Sequence, residues 1–251
     1  MSQTIGAEYA GVLKTRLVDR ASLLDEVKAA IDDSPRSHVF YITGPGGMGK
    51  TVLLQEVLRN LCQEGAWHNP DIVTVTEPVD LFHSETHSSE GLMRAIRAEL
   101  RPGMDYFQGY RKERDRLEQL KVYLAQPSDI EQQRQRVEEA FLVDFKQLSE
   151  KRRIVLAIDT AEVLLYEPDQ VQQMLHLEEE GVGARDWLIR RFLPHVENTV
   201  VLLAGRPKPA RLRQDLEEAL GSRLRKKPLG PLSEEDSVSY FREAALVARE
   251  N

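Results

Sequence analysis

The stretch of the chain with the clearest chemistry is Gly44-Pro45-Gly46-Gly47-Met48-Gly49-Lys50-Thr51, which satisfies the pattern G-x-x-x-x-G-K-[ST]. Glycines let backbone N–H groups approach a phosphate chain where side chains would collide, and a following helix adds its own unpaired N–H groups. The lysine supplies a cation for the β- and γ-phosphates, and the threonine hydroxyl can coordinate Mg²⁺. We call residues 44–51 the P-loop and expect Val52 to lie beside the same nucleotide. The pattern predicts binding of a nucleoside triphosphate such as ATP.

A site of this kind needs an acidic side chain on a neighbouring strand to hold the Mg²⁺ water shell. Asp159 follows the apolar run 154–158, so it would lie at the carboxyl end of a buried strand, where open α/β sheets bind ligands. Glu162 would reach the same edge and could polarise the attacking water, or it could instead place charge at a helix N-terminus. Arg206 follows the apolar run 199–205 and could stabilise the γ-phosphate, or be a surface arginine in a turn.

The remaining periodicity predicts alternating strands and helices that would position these residues. Strand-like runs occur at residues 39–43, 71–77, 154–158 and 199–205. Helical spacing marks residues 21–31, 54–61, 88–100, 186–193 and 211–220, with Ser22 as a helix cap. We therefore expect an α/β fold of three layers, α/β/α, with a central, mainly parallel five-stranded sheet.

The domain boundaries follow from the same reading. We predict a lead-in with a helix at 1–36, a nucleotide domain at 37–232 and the start of a helical subdomain at 233–251. The polar stretch at about 105–152 is expected to insert one or two helices, with a capping box at Ser128 opening the second.

Composition limits the classes of function. The net charge of −7 opposes a general attraction to nucleic acid, and no apolar run approaches the length of a membrane span. The single cysteine, Cys62, cannot form an internal disulfide, so we expect a cytoplasmic protein. The basic clusters 151–153 and 223–227 are interpreted as solvated flanks of buried strands.

Other chemically suggestive side chains receive a structural interpretation. His83 and His87 have helical spacing but lack a third ligand, so we predict surface residues and no metal site. Trp67 and Trp187 are expected to be packing residues.

Four segments together resemble the STAND class of signal-transduction ATPases, which includes the NB-ARC and NACHT proteins: GPGGMGKT, IVLAIDTAE, VVLLAGRP and RLVDRASLLDEV. The resemblance implies ATP or ADP with Mg²⁺, with Leu17 and Val18 near the adenine and Arg20 in the same lead-in motif. Thr160 stands after Asp159, where the family commonly carries a second acid; this resembles bacterial members.

The family also implies domains beyond this chain. LGPLSEEDSVSYF resembles the segment that leads into a small helical subdomain, and helical, winged-helix and sensor domains would follow it. The chain would then be a fragment, slow in ATP hydrolysis, of a protein that is a homo-oligomer at full length.

Three functions remain open from the sequence. The favoured one is a regulatory ATPase switch that controls assembly of a longer protein. The second is an AAA-type DNA-associated motor, in which Arg190 or Arg191 would act on a neighbouring site. The third is a scaffold that binds nucleotide without turnover.

Overall fold

The computed structural model describes residues 20–100, 105–123, 126–165, 183–207, 210–231 and 238. The predicted adenine contacts Leu17 and Val18 lie outside the described residues, as does nearly all of the expected subdomain at 233–251.

Helices and strands alternate along the described chain. The helices are α1 (Ala21–Asp32), α2 (Lys50–Leu61), α3 (Ser89–Glu99), α4 (Gln108–Val122), α5 (Pro127–Lys151), α6 (Ala184–Asp186) and α7 (Arg211–Leu220). The strands are β1 (His38–Thr43), β2 (Ile72–Thr74), β3 (Val79–Asp80), β4 (Arg153–Asp159), β5 (Thr199–Gly205) and β6 (Leu224–Pro228). A π-helix (Trp187–Phe192) and a 3₁₀ turn (Leu193–His195) continue α6, so Pro194 lies within the last turn of this helical segment.

The sheet confirms the predicted α/β class. Its strands lie in the order β2-β4-β5-β1-β6, and β3 pairs with the carboxyl end of β4 on the same side as β2. Every pairing in it is parallel. Strands β4 and β5 are buried along their whole length, as the continuous apolar runs predicted. The described sheet has six strands, whereas five were predicted. It is five strands wide, because β2 and β3 pair with the same edge of β4 one after the other.

The predicted strand at 71–77 is wrong in its extent. Only Ile72–Thr74 pairs as β2, and the chain pairs again as β3 at Val79–Asp80. The strand is interrupted after β2 because two N–H groups bond elsewhere. The N–H of Thr76 donates to the backbone carbonyl of Glu99, and the N–H of Glu77 donates to its side chain. Those donors are therefore withdrawn from the β-ladder.

The two basic clusters match their interpretation as solvated flanks only in part, because Lys151, Arg152 and Arg223 precede strands and are not buried, whereas the rest of both clusters lies within strands. Residues 224–228 form the edge strand β6, whose Lys226 and Lys227 pair with acidic side chains and whose Arg225 lies over the ring of Phe40. Charged side chains suit an exposed edge, because they oppose pairing with another chain. Arg153 is buried, and its guanidinium donates to the carbonyls of Ala30, Ile31 and Arg36.

The insertion is a pair of helices, α4 and α5, packed on the body of the domain. An aromatic cluster joins them to the helical segment after α6: Phe107, Tyr110, Phe141, Phe145, Trp187 and Phe192. Phe145 meets Phe192 with ring centroids 4.9 Å apart, and Phe141 meets Trp187 at 5.5 Å. Trp187 is a packing residue as predicted, and Trp67 packs against the core while partly exposed.

Two helix starts and one histidine correct the sequence interpretation. Helix α1 begins at Ala21 without a side-chain cap from Ser22, and α5 begins at Pro127, a residue suited to the first helical position because it lacks an N–H. His87 is buried, not on the surface, and its Nε2 lies 2.8 Å from the carbonyl oxygen of Leu81. None of the helices in the described ranges combines the length and apolarity needed to cross a membrane.

Candidate functional site

The P-loop connects β1 directly to α2, as the sequence predicted. Gly47 and Gly49 have φ of +79° and +77°, values that residues other than glycine rarely adopt. Gly49 is the residue that precedes the helix, so the turn ends with the first N–H groups of α2 directed toward the loop. Pro45, Gly46 and Gly47 are exposed, while Met48 and Val52 are half-buried. The loop thus presents backbone donors to a ligand at a helix N-terminus.

Lys50 is folded over the P-loop. Its Nζ donates to the carbonyl of Gly44 at 2.8 Å and to that of Pro45 at 2.9 Å. These contacts place the ammonium group beside the backbone that would surround a phosphate chain. A flexible ammonium can exchange carbonyl partners for phosphate oxygens, because it acts as a point charge with three rotatable donors.

Thr51, in the first turn of α2, is hydrogen-bonded to Asp159 at the end of β4. The Thr51 hydroxyl donates to Oδ2 of Asp159 at 2.5 Å, and the N–H of Thr160 donates to Oδ1 at 2.8 Å. Thr160 has φ of +60°, an uncommon conformation for a β-branched residue, which indicates backbone strain directly after Asp159. The hydroxyl and carboxylate predicted to serve one Mg²⁺ ion are therefore in contact.

The surroundings of Asp159 disfavour its ionised form. Burial raises the pKa of its carboxyl, and the nearby charges of Asp80 and Glu162 act in the same direction. The hydrogen bonds from Thr51 and from the N–H of Thr160 oppose this effect and lower the pKa. The carboxyl groups of Asp80 and Glu162 are thus close enough to influence Asp159, and a cation bound beside Asp159 would stabilise its ionised form.

Glu162 and Arg206 form one unit at the same edge. Glu162 lies in the 3₁₀ turn Ala161–Leu165 after β4, and Arg206 directly follows β5. Oε2 of Glu162 accepts the N–H of Arg206 at 3.0 Å, and Oε1 lies 3.1 Å from its Nε. Tyr41 on β1 is buried, which raises its pKa to about 12, and the charge of Glu162 adds to this rise. The acid at 162 is thus bound within the domain, and the guanidinium of Arg206 extends from it.

The segment after β6 contacts the start of the P-loop, a contact that the sequence did not predict. The N–H of Leu229 donates to the carbonyl of Thr43 at 2.6 Å, and a Cβ at Gly44 would lie 2.9 Å from the carbonyl oxygen of Leu229. Arg20 reaches the next residue, donating from Nη2 to the carbonyl of Gly230 at 2.7 Å. Of the three predicted lead-in residues, Arg20 is therefore tied to the segment that contacts Gly44.

Asp80 is an acidic residue of this edge that sequence reasoning missed. It ends β3 and is the register partner of Asp159 on β4. The signal was present in the sequence as an acid after Pro78 and Val79, but the strand was expected to end at residue 77. Within the described part of the chain, no three His, Cys, Asp or Glu side chains are grouped as a metal centre.

The carboxyl ends of four neighbouring strands, β3, β4, β5 and β1, thus lie along one edge of the sheet. They carry the P-loop, Asp159, the Glu162–Arg206 pair and Asp80. Chemically, this arrangement offers backbone donors and an ammonium for phosphates, a hydroxyl and carboxylates for a hard cation, and a guanidinium for developing negative charge.

Comparison with known proteins agrees with this geometry. Residues 16–183 match the family described as AAA ATPase domain. The solved structure of the Aeropyrum pernix ORC2 protein, described as ADPNP-ADP complexes, is similar in fold, with a TM-score of 0.51 and 12% sequence identity. The similarity covers 94% of this chain and 56% of that one, so the chain spans little more than half of the ORC2 structure. No curated protein matches the sequence.

The family match extends over more than half of the 251 residues and includes the P-loop and both Asp159 and Glu162. The chain therefore belongs to the AAA ATPase domain family of P-loop ATPases.

Proposed function

We propose that this chain is the ATP-binding and ATP-hydrolysing switch domain of a longer STAND-type signalling or defence protein. The observation that carries the proposal is the hydrogen bond between Thr51 and Asp159, since it joins the P-loop helix to the acidic end of β4. The narrower assignment to the STAND class is supported by the spaced motifs at Arg20, Asp159 and Arg206. Further C-terminal domains, homo-oligomer assembly and a cytoplasmic location belong to the same proposal.

ATP or ADP is the proposed nucleotide. Backbone donors at a helix N-terminus favour a phosphate chain, and Lys50 supplies the cation that the β- and γ-phosphates need. The Aeropyrum pernix ORC2 structure is described with ADPNP and ADP, which supports adenine nucleotides for a chain of similar fold.

Mg²⁺ fits the oxygen atoms at the site. Thr51 and Asp159 provide a hydroxyl and a carboxylate, and Mg²⁺ is usually held by one or two carboxylates together with substrate phosphates. When bound, the ion supplies neutralisation of the phosphate charges. A cation bound there would favour the ionised form of the Asp159 carboxyl, against the effect of its burial.

Glu162 and Arg206 are proposed to read the γ-phosphate as a pair. Arg206 would contact the terminal phosphate, and Glu162 would polarise the attacking water. Because the two side chains are bonded to each other, a change at either one alters the position of the other. This coupling supports a switch in which the presence of the γ-phosphate is sensed at the end of β5.

An AAA-type DNA-associated motor is the second candidate, and the AAA ATPase domain match favours it. Its candidate trans-acting residues have partners within this chain: Arg191 donates to Glu138 at 2.6 Å, and Arg190 lies 3.7 Å from Asp186. Salt-dependent binding of the full-length protein to DNA would favour the motor over the switch. A nucleotide that survives purification unhydrolysed would favour a scaffold without turnover.

The Lys50→Ala variant tests nucleotide binding. Loss of the cation should weaken ATP binding at least tenfold, which corresponds to about 1.4 kcal/mol. Isothermal titration calorimetry would compare wild type, Lys50→Ala and the control Lys112→Ala, which removes an exposed ammonium on α4. Circular dichroism should show all three folded. Equal ATP affinities in wild type and Lys50→Ala would contradict the P-loop assignment.

A further inference from the structure

Asp80 lies beside Asp159 because of strand pairing. It is the last residue of β3, and its register partner Asp159 is the last residue of β4. Register partners on neighbouring strands are about 4.8 Å apart and place their side chains on the same face of the sheet. The N–H of Leu81 donates to the carbonyl of Asp159 at 3.1 Å, so the two strand ends are held together beyond the last paired residues.

One oxygen of the Asp80 carboxylate accepts a backbone N–H, and the side chain as a whole is partly exposed. Oδ1 accepts the N–H of Phe82 at 2.9 Å, which stabilises the turn after β3. Oδ2 lies 4.0 Å from Nε2 of His83, which is its ion-pair partner among the described residues. The side chain is 39% exposed and borders a cavity of about 570 Å³ that is open to solvent. Water can therefore reach the Asp80 side chain.

The two acids that flank Asp159 differ in their surroundings. Glu162 is bound at both oxygens by Arg206. Asp80, in contrast, forms no ion pair with a lysine or arginine in the part of the chain that the structure describes. A carboxylate without a fixed cationic partner, next to another that contacts the P-loop threonine, is suited to hold metal-bound water.

We infer that Asp80 is a second metal-side carboxylate of the nucleotide site, which positions a water of the Mg²⁺ shell beside Asp159 through its Oδ2. The inference rests on the proposed nucleotide and Mg²⁺ site and adds a residue to it. Asp80 acts on the cation, whereas Glu162 acts with Arg206 on the terminal phosphate. The two acids should consequently affect different measurements.

Asp80→Asn separates this role from the structural one. The asparagine side-chain oxygen can still accept the N–H of Phe82, so the turn is retained while the negative charge is lost. Asp80→Ser is a second variant that keeps an oxygen for the same turn. Glu85→Gln is the matched control, because it removes an exposed charge from the same cavity on a residue that is not in register with Asp159.

The test measures how much Mg²⁺ strengthens ADP binding, by calorimetric titration of ADP with and without Mg²⁺. Asp80→Asn and Asp80→Ser should lose about fivefold of the Mg²⁺-dependent gain while metal-free ADP affinity stays at the wild-type value. Glu85→Gln should behave as wild type. A full Mg²⁺-dependent gain in both folded Asp80 variants would overturn the role of Asp80 and leave the proposed function intact. Absence of ADP binding, or of any Mg²⁺ effect, in wild type would instead contradict the proposed site itself.

Discussion

Glu162 and Arg206 are joined by two contacts across neighbouring strand ends, with Oε2 accepting the backbone N–H at 3.0 Å and Oε1 lying 3.1 Å from Nε. The Glu162 side chain is only 12% exposed, whereas that of Arg206 is 66% exposed. The acid is therefore held in place, and the guanidinium remains accessible at the edge of the sheet. The proposed role of the pair at the γ-phosphate depends on this difference between a fixed acid and an accessible guanidinium.

Replacement of Glu162 by glutamine should separate binding from turnover. Glutamine keeps an oxygen that can accept the N–H of Arg206, but it cannot take up a proton from water as a carboxylate does. We expect ATP affinity near the wild-type value and turnover lowered by roughly 10²-fold or more. Titration calorimetry and a phosphate-release assay measure the two quantities.

Glu64→Gln provides the control for this experiment, since Glu64 is an exposed acid after α2. Its affinity and turnover should both match wild type. Wild-type turnover in Glu162→Gln would remove the water-polarising role from Glu162 and make Asp159 the next acid to examine.

Gly44→Ala should destabilise the fold through a steric clash between the added Cβ and Leu229. The added Cβ would lie 2.9 Å from the carbonyl oxygen and 3.3 Å from the Cβ of Leu229, so the backbone must shift. Such overpacking costs about 1–3 kcal/mol in the free energy of unfolding. Urea unfolding measures this value, and the control is Gly46→Ala, where a Cβ would meet no atom within 4 Å. If both variants unfold at the same urea concentration, the contact with Leu229 does not constrain Gly44.

Asp144 provides a prediction of pH-dependent stability away from the nucleotide site. Its Oδ2 accepts the N–H of Tyr110 at 2.7 Å, at the start of α4. Burial raises the pKa of this carboxyl above its usual value of 3.8, although the N–H groups of Tyr110 and Gly109 oppose the shift. A raised pKa in the folded state means that the folded protein binds the proton more tightly, so this group contributes stability below 3.8 that is lost as pH rises through the folded pKa.

Asp144→Asn removes that titration. The free energy of unfolding of Asp144→Asn minus that of wild type should therefore increase as pH rises from about 4 and become constant above the folded pKa. Urea unfolding at several pH values measures the difference. Asp144→Ala serves as a comparison, because loss of the acceptor for the Tyr110 N–H should cost about 1–3 kcal/mol. A difference that does not change with pH would show that the carboxyl has the same pKa in the folded and unfolded chain.

The sequence alone was sufficient for features that depend on neighbouring residues. The P-loop could be recognised because its glycines, Lys50 and Thr51 are consecutive and lie between an apolar strand and an amphipathic helix. Asp159 could be placed because continuous apolar residues predict a buried strand, and the residue that follows such a strand lies at its carboxyl end. Local spacing contains this information, so these predictions did not need the partners of each element.

Only the tertiary structure decided which of these distant residues contact one another, and it added Asp80 to them. The pairing of Asp80 with Asp159 and of Glu162 with Arg206 depends on which strands are neighbours in the sheet. The same is true of Arg153, whose charge is satisfied by carbonyls of α1 and of the turn that follows it. Strand order results from the packing of helices and strands that are far apart in the chain. The periodicity of one segment does not show which strand will pair with it. These contacts between distant segments therefore could not be predicted from the sequence.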